Sequence, residues 1–241
     1  MSNEIIENKL DYLFKKHQIN SSEQEFIISV VKPIYEHREF LKRSTSEFLH
    51  HDNLTLGYHI LEDMIVSFKI CKKKKFSEKK TKIVLLIAMM HDLYEFPWQN
   101  NDAFRTKHFF NKHGFRHPIE AAINAITWFP ELFDDDEIAS IMLDSIIHHM
   151  FPLPVLSINY NNYKKRELRN IQAFENLDKK YKDMIIKSTS RKRIGCISFS
   201  RPFWIEGKIM SNADKISSLD NFSSIHGVLA LVTGNNKNIK K

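Results

Sequence analysis

The chain has 241 residues, enough for one large domain or two small ones and ample for a sizeable core, and its apolar content of 42% is that of a globular protein. Two cysteines cannot build a disulfide framework, the longest apolar run is too short to span a membrane, and the first residues lack the layout of a signal peptide. These features predict a cytoplasmic protein with no membrane partner, and the net charge of +7 favours phosphates or other anions as ligands.

Most of the chain is predicted to be helical, because only six Gly and seven Pro allow few tight turns. A first helix is expected at 3–18, with apolar residues on one face. Ser21 or Ser22 is expected to cap a second helix, which Pro33 then kinks or ends. These elements predict that 1–50 forms helices that pack on the rest of the domain.

A third helix is predicted at 55–71, where apolar residues recur at helical spacing around His59. Four consecutive lysines follow at 72–75. We interpret this run as a solvated turn, and a rim that attracts phosphate is the alternative. The charge alone does not separate the two interpretations.

The stretch 83–95 organises the chain, because the apolar run 83–90 leads directly into His91 and Asp92. Leu, Ala and Met favour a helix over a strand. Charges at both ends, and Pro97 beyond them, predict a helix of about 18 residues. An imidazole and a carboxylate at the buried end of such a helix are costly unless a metal ion or a mutual hydrogen bond satisfies them.

The segment 96–116 is predicted to be a long loop of the kind that often shapes a functional site, with a short helix at 103–112 as an alternative. The next helix is expected to begin at His117 and Pro118, because proline fits the first helical position. This helix is expected to stop at Pro130.

Acidic residues at 134–137 predict the start of another helix, where negative charge suits the helix dipole. That helix is expected to end at the pair His148 and His149. A long charged helix is predicted at about 166–187. The following segment, 188–207, is expected to be an extended excursion or a small hairpin.

A last core helix is predicted around 209–216, and it contains an acid, Asp214. The predicted fold class is all-α, a single globular helical bundle. Within it, 51–220 is expected to form the main body, and 221–241 a C-terminal helix followed by a polar tail, 234–241, which has no reason to fold.

Seven ionisable residues lie on or at the end of these apolar helices. They are His59, His91, Asp92, His117, His148, His149 and Asp214. Their wide spacing excludes a zinc knuckle, whose ligands come in close pairs, and fits a metal site built from facing helices. Imidazole-rich sites suit iron, manganese, cobalt, nickel or zinc better than magnesium or calcium.

This ordered set resembles the HD superfamily of metal-dependent phosphohydrolases, over roughly residues 50–220. The His91-Asp92 pair, the earlier histidine and the late aspartate carry the resemblance, and the later histidines are similar to the branch with two metals. The resemblance implies two ions per chain, most often iron or manganese. The implied ligands are His59, His91, Asp92 and Asp214 for the first ion, and His117, His148 and His149 for the second, with Asp92 bridging.

The sequence departs from the family pattern at two places. Leu93-Tyr94-Glu95 stands where cyclic-dinucleotide branches usually have Ile-Gly-Lys, and Met150-Phe151-Pro152 stands in place of Gly-Tyr-Pro. Glu95 is similar to an acid of nucleotidase-like members. If 83–95 is helical, Glu95 lies one turn from Asp92, and we expect these two acids to be catalytic. A solvent-exposed acid at the helix end is the alternative for Glu95.

His50 and His51 are rival candidates for the first ligand, because they too precede the central helix. We favour His59, since it lies within an amphipathic helix while the other two fall at a helix break. His108 and His113 are expected to be loop residues.

The resemblance implies hydrolysis of a phosphate ester or phosphoanhydride of a nucleotide or related small molecule by metal-bound hydroxide. The candidates for binding substrate phosphate are Arg105, Lys107, Arg116, Arg201 and Lys215. Three alternatives stay open: a non-catalytic nucleotide sensor that retains the metals, a di-iron oxygenase on the same scaffold, and a nuclease or nucleic-acid-binding module. Nucleic acid is the less favoured partner, and a homo-oligomer is compatible with the sequence.

Overall fold

The computed structural model describes residues 4–51, 54–97, 109–159 and 163–221, and it is mostly helical, as the composition predicted. The helices are α1 (Glu4–His17), α2 (Ser21–Tyr35), α3 (Arg38–Arg43), α4 (Leu56–Lys73), α5 (Glu78–Met90), α6 (His113–Trp128), α7 (Asp136–Ile147), α8 (Ile171–Asn176), α9 (Lys179–Thr189) and α10 (Ile205–Asn221). The short strands are β1 (Leu49–His51), β2 (Leu54–Thr55), β3 (Val155–Leu156), β4 (Arg193–Ile194) and β5 (Ile197–Ser198). Within these ranges, no helix combines the length and the apolar character needed to cross a bilayer.

One cluster of buried apolar side chains runs through the bundle, from Ile6 in α1 to Met210 in α10. The N-terminal helices therefore share a core with the helices that carry the His and Asp residues. A second, small cluster joins Cys71, Val84 and Ile209. Most of the predicted C-terminal tail, 222–241, lies outside the described residues.

The beginning of α2 differs from the prediction. Its cap is Asn20, not Ser21 or Ser22, because Asn20 Oδ1 accepts a hydrogen bond from Glu23 N at 3.0 Å and the Glu23 carboxylate accepts one from Asn20 N at 3.2 Å. This reciprocal pair is a capping box shifted toward the N-terminus. Pro33 lies inside α2, which continues to Tyr35.

Helices α4 and α5 form the centre of the bundle. The N-terminus of α4 packs closely on α3, since a Cβ at Gly57 would lie 2.0 Å from Ser44 Oγ. Helix α5 ends at Met90, so the prediction of about 18 residues was too long. The chain turns at His91 and Asp92, and the helical geometry that would place Glu95 one turn from Asp92 is not present.

Helix α6 begins at His113, earlier than the predicted start at His117. His113 is therefore a helical residue, not a loop residue, and Pro118 lies inside the helix. The described part of the predicted helix at 103–112 is a 3-10 turn, Phe109–Asn111. The start of α7 follows the prediction. Asp135 caps this helix, because its Oδ1 accepts hydrogen bonds from the backbone N–H groups of Glu137 and Ile138.

The predicted helix at 166–187 is in fact two helices, α8 and α9, because Leu177 between them has extended dihedrals. The segment 188–207 contains the expected hairpin, β4 and β5, with Gly195 at φ +59° in its turn. Strand β5 also pairs with β3, giving an antiparallel sheet in the order β3-β5-β4.

The lysines at 72–75 form the end of α4 and the turn after it. Lys72 makes an ion pair with Glu23 of α2, while Lys74 and Lys75 are exposed. The arrangement is that of a solvated turn with one tether to a neighbouring helix. An exposed ion pair of this kind contributes little to stability.

Helix α10 closes the bundle over α4, α5 and α7. It approaches α7 very closely at Gly207, where a Cβ would lie 2.4 Å from Ser145 Oγ and 2.7 Å from its Cβ. The buried hydroxyl of Ser211 donates a hydrogen bond to the carbonyl of His149, just past the end of α7. These contacts fix the position of α10 along α7, and therefore the position of Asp214 relative to the other helices.

Candidate metal centre

Helix α4 contributes His59 and Asp63 to the centre. Residues four apart lie on the same helical face, and both side chains are buried, with exposures of 2% and 0%. His59 Nε2 lies 3.2 Å from Asp63 Oδ2. The pair faces the C-terminal end of α5.

The turn at the end of α5 contributes His91 and Asp92. His91 Nε2 lies 3.2 Å from Asp63 Oδ2, the same oxygen that faces His59. Asp214 from α10 completes the set, with its Oδ1 3.6 Å from His59 Nε2. We call His59, Asp63, His91 and Asp214 the first group; each offers one ligand atom, and these atoms all lie within 4.8 Å of one another.

A second group lies on the other side of Asp92. It consists of His117 from α6 and His149 from just past α7, whose Nε2 atoms are 3.3 Å apart. Asp92 Oδ1 is 3.3 Å from His117 Nε2 and 3.4 Å from His149 Nε2. Asp92 Oδ2 instead faces the first group, 3.7 Å from His59 Nε2 and 3.8 Å from His91 Nε2. One carboxylate therefore joins the two groups.

Backbone carbonyls hold three of the imidazoles in place. The Nδ1 atoms of His91, His117 and His149 contact the carbonyl oxygens of Ala88, His113 and Ile146 at 2.8, 3.1 and 2.7 Å. When Nδ1–H donates to such a carbonyl, the neutral ring presents the Nε2 lone pair to the centre. This is the tautomer that a metal ion requires.

Several polar atoms at the centre are buried, and they find no hydrogen-bond partner in the part of the chain that the structure describes. They are His59 Nε2, Asp63 Oδ2, His91 Nε2 and Asp92 Oδ1. Such atoms are costly in a protein interior. Because all four are good metal ligands and each belongs to one of the two groups, divalent cations bound at these groups would satisfy them. The residues present therefore fit a metal ion, whose identity the donor set alone does not fix.

The electrostatics of the protein groups at this centre also favour a cation. Burial opposes the charge on His91, but the carboxylates of Asp92 and Asp63 outweigh it and raise the pKa of His91 to about 10. Burial would raise the pKa of Asp92, yet the charge of His91 and the neighbouring imidazoles of His117 and His149 hold that pKa well below its usual range. A protonated imidazole thus offsets carboxylate charge where an ion would otherwise do so.

His50, the rival first ligand, is not in the first group, but its ligand atom lies within 4.8 Å of ligand atoms of His59 and Asp92, so these three residues also form a possible metal-binding group. Its ring stacks on that of His59, with centroids 4.0 Å apart and an interplanar angle of 14°. Its Nδ1 is 3.2 Å from the Tyr94 hydroxyl and 3.9 Å from Asp92 Oδ2. The preference for His59 fits this geometry, although His50 is close enough to affect the site. The side chain of His51 lies outside the described residues.

The turn after Asp92 is held rigidly. Arg43 donates to the carbonyl of Tyr94 from Nε at 2.9 Å and Nη2 at 2.5 Å, and Asn124 donates to the carbonyl of Leu93 at 2.7 Å. Glu95 is partly buried, and its carboxylate lies within electrostatic range of Arg43. The catalytic role predicted for Glu95 relied on a helix that the structure does not have.

His148 does not join either group, contrary to the expectation that it is a ligand of the second ion. Its Nε2 lies 3.1 Å from Ser188 Oγ and 3.9 Å from Asp144 Oδ1. The reason is local: α7 ends at Ile147, so the two neighbouring histidines leave the helix in different directions. His149 faces Asp92, and His148 faces α9.

The predicted phosphate-binding residues are scattered. Arg116 is fully buried, where it donates to the carbonyl of Glu167 at 2.8 Å and pairs with Glu120 at 3.3 Å, so it is held in the core rather than presented to a ligand. Arg201 is exposed beyond the hairpin. Lys215 follows Asp214, and its ammonium donates to Ser211 Oγ at 2.7 Å. Arg105, Lys107 and the neighbouring His108 lie outside the described residues.

Asp63 is the principal residue that sequence reasoning missed. A signal was available, because Asp63 follows His59 by one helical turn on the same face of an otherwise apolar helix. The sequence identified His50 only as a rival first ligand, because His50 lies in the short strand β1, where helical periodicity does not predict the direction of a side chain.

Comparison of the chain with protein-family models, with curated proteins and with solved structures found no match. The interpretation of this centre therefore relies on its residues and their geometry.

Proposed function

We propose that the chain is a metal-dependent phosphohydrolase of the HD superfamily, acting on a nucleotide or a related small phosphate ester. The observation that supports this proposal best is Asp92, which presents one oxygen to each of two groups of buried ligands. The chain order of the ligands, with a histidine, the His91-Asp92 pair, later histidines and a late aspartate, agrees with the family pattern.

Two divalent ions at such a centre would lower the pKa of bound water and offset the charge that develops on a phosphoryl group. The chain's own residues prepare the site for this. Asp92 stays ionised because the neighbouring imidazoles depress its pKa. Arg43 and Asn124 fix the turn that carries His91 and Asp92, so the ligands need little rearrangement when an ion binds.

The experiment begins with metal analysis of protein purified without chelator. We expect about two transition-metal ions per chain, and metal-dependent phosphate release from a panel of nucleotides and cyclic dinucleotides supplied with Mn²⁺ or Fe²⁺. Asp92→Ala should lose the activity and at least the metal of the second group, while keeping its circular dichroism spectrum. Asp144→Asn, which alters a buried carboxylate outside both groups, is the matched control and should keep its metals.

A protein that holds its metals but turns over none of these substrates would contradict the hydrolase. If nucleotides then raised its melting temperature, the non-catalytic sensor would replace it. Absence of metal after reconstitution would mean that the histidines serve only the core.

A di-iron oxygenase is the second candidate. His117, His149 and Asp92 form a set of two imidazoles and one carboxylate, which is also typical of non-haem iron oxygenases. The two functions differ in their need for oxygen. Hydrolysis with Mn²⁺ should proceed without oxygen, whereas oxygenase activity requires Fe²⁺ and consumes oxygen in an electrode assay.

A further inference from the structure

We propose that Asp63 is a ligand of the first ion in this chain, so that the two metal positions are unequal: the first is closed by protein and the second is open to water and substrate. This inference rests on the metal centre of the proposed function and not on the hydrolysis itself.

The two carboxylate oxygens of Asp63 have different surroundings. Oδ1 accepts a hydrogen bond from Ser217 Oγ in α10, which anchors the side chain. Oδ2 is fully buried, makes no hydrogen bond within the described ranges, and lies 3.2 Å from both His59 Nε2 and His91 Nε2. An anchored oxygen paired with an unsatisfied one is the arrangement expected of a metal-binding carboxylate with an outer-shell partner.

A purely structural role for Asp63 fits the geometry less well. His91 Nδ1 contacts the carbonyl of Ala88 at 2.8 Å, so a neutral His91 carries its proton there and has a lone pair at Nε2. That lone pair would then face a carboxylate oxygen with nothing between them. Either an added proton or a cation must lie between the two atoms, and in metal-loaded protein it would be the cation.

The two groups differ in how many ligands the protein supplies. Around the first position stand His59, Asp63, His91 and Asp214, with Asp92 Oδ2 at its edge. Around the second stand His117, His149 and Asp92 Oδ1, and His91 of the first group is near enough to form a ligand group with Asp92 and His149.

Three protein ligands leave coordination positions free, as in catalytic zinc sites, whereas closed ligand sets are typical of structural sites. The first position also has more carboxylate charge. We therefore expect it to bind its ion more tightly and to fill first, and the second position to exchange its ion and to take the substrate.

The test is titration of metal-depleted, full-length protein with Mn²⁺ or Co²⁺ by calorimetry. Wild type should bind in two phases, one tight and one weaker. Asp63→Asn should weaken the tight phase about tenfold or more and leave the weak phase in place. His149→Ala should remove the weak phase alone. Ser217→Ala is the matched control, since it removes the anchor and keeps the carboxylate, and should have a smaller effect than Asp63→Asn.

Direct ligation is tested with Asp63→Cys. A thiolate bound to Co²⁺ should add an intense near-ultraviolet charge-transfer band that wild type lacks, and this readout does not need Asp63→Asn to fold. Absence of the band in a folded Asp63→Cys protein that binds cobalt would overturn the assignment, as would an unchanged tight phase in Asp63→Asn. If the two positions of wild type bind metal with equal affinity, the proposed difference between them is wrong. If the two positions bind metal with unequal affinity but the protein releases no phosphate, the proposed hydrolase is contradicted and the assignment of Asp63 is not.

Discussion

Two buried clusters of histidine and aspartate lie side by side in this bundle, and they illustrate opposite ways to satisfy a carboxylate. The Asp144 cluster consists of Asp144, His148, Ser188 and Arg191. Asp144 accepts hydrogen bonds from Ser188 Oγ at 3.0 Å, from Arg191, and from the backbone N–H of Phe203 at 2.7 Å. Hydrogen-bond donors of the protein therefore compensate the negative charge of Asp144.

The candidate metal centre has the same residue types, but its carboxylates lack the protein donors that Asp144 has. Asp63 Oδ2 and Asp92 Oδ1 are buried without hydrogen-bond donors among the described residues, and the nearest side chains are imidazoles that can themselves bind a cation. His148 and His149 are adjacent in sequence, yet one belongs to each cluster. A buried aspartate–histidine contact is therefore evidence for a metal only when protein donors are missing.

Metal removal should give the largest change in stability, and this change should depend on the residues of the candidate metal centre and not on the Asp144 cluster. An ion present at about 1,000 times its Kd stabilises the folded protein by about 4 kcal/mol, because it binds the native state alone. We expect EDTA to lower the melting temperature of wild type and of Asp144→Asn, measured by scanning calorimetry. Asp92→Asn should respond less to EDTA than wild type does, because it loses the ligand that joins the two groups but keeps the four ligands of the first group. A response equal to that of wild type would contradict the assignment of Asp92.

Asp144→Asn should give the next largest loss of stability, and this loss should not depend on metal. The substitution leaves Arg191 without its charged partner in a partly buried site, a loss of about 2 kcal/mol. The stability loss, measured by urea unfolding, should be the same with and without metal. A loss that appears only in the metal-loaded protein would mean that the two clusters are coupled.

The sequence predicted the fold class, most helix positions and most of the centre. The residues His59, His91, Asp92, His117, His149 and Asp214 come together because each lies on the inward face or at the end of an amphipathic helix, and helical periodicity makes such faces predictable.

The errors share a physical cause, which is the behaviour of the chain at helix ends. Periodicity does not say how a chain leaves its last turn, so the opposite directions of His148 and His149 could not be predicted from it. Helix α5 ends at Met90 although its apolar pattern and the following charges suggested a later stop, and Glu95 was misplaced for that reason. Helix ends depend on capping and tertiary contacts, here Arg43 and Asn124 on the following turn.

The smallest expected effect concerns pH and compares the two clusters once more. In the metal-free protein, His91 has its pKa raised from the ordinary value to about 10, so its contribution to stability is full below about pH 6.5 and is lost as the pH rises toward 10. In the metal-loaded protein His91 is already neutral and this loss does not occur. The stability gained from metal should therefore increase by at most about 1.4 kcal/mol between pH 6.5 and 7.5, the limit for one released proton.

His148 provides the internal control for this measurement. Burial lowers the pKa of His148 to about 4, against the opposing effect of Asp144, so it stays neutral across the same pH range whether or not metal is bound. Melting curves with EDTA and with saturating Mn²⁺ at each pH give the difference directly. Because Asp63 helps to raise the pKa of His91, Asp63→Asn should flatten the dependence, whereas Ser188→Ala, beside His148, should leave it unchanged. A metal-induced gain that is constant with pH would show that His91 does not hold the proton that an ion displaces.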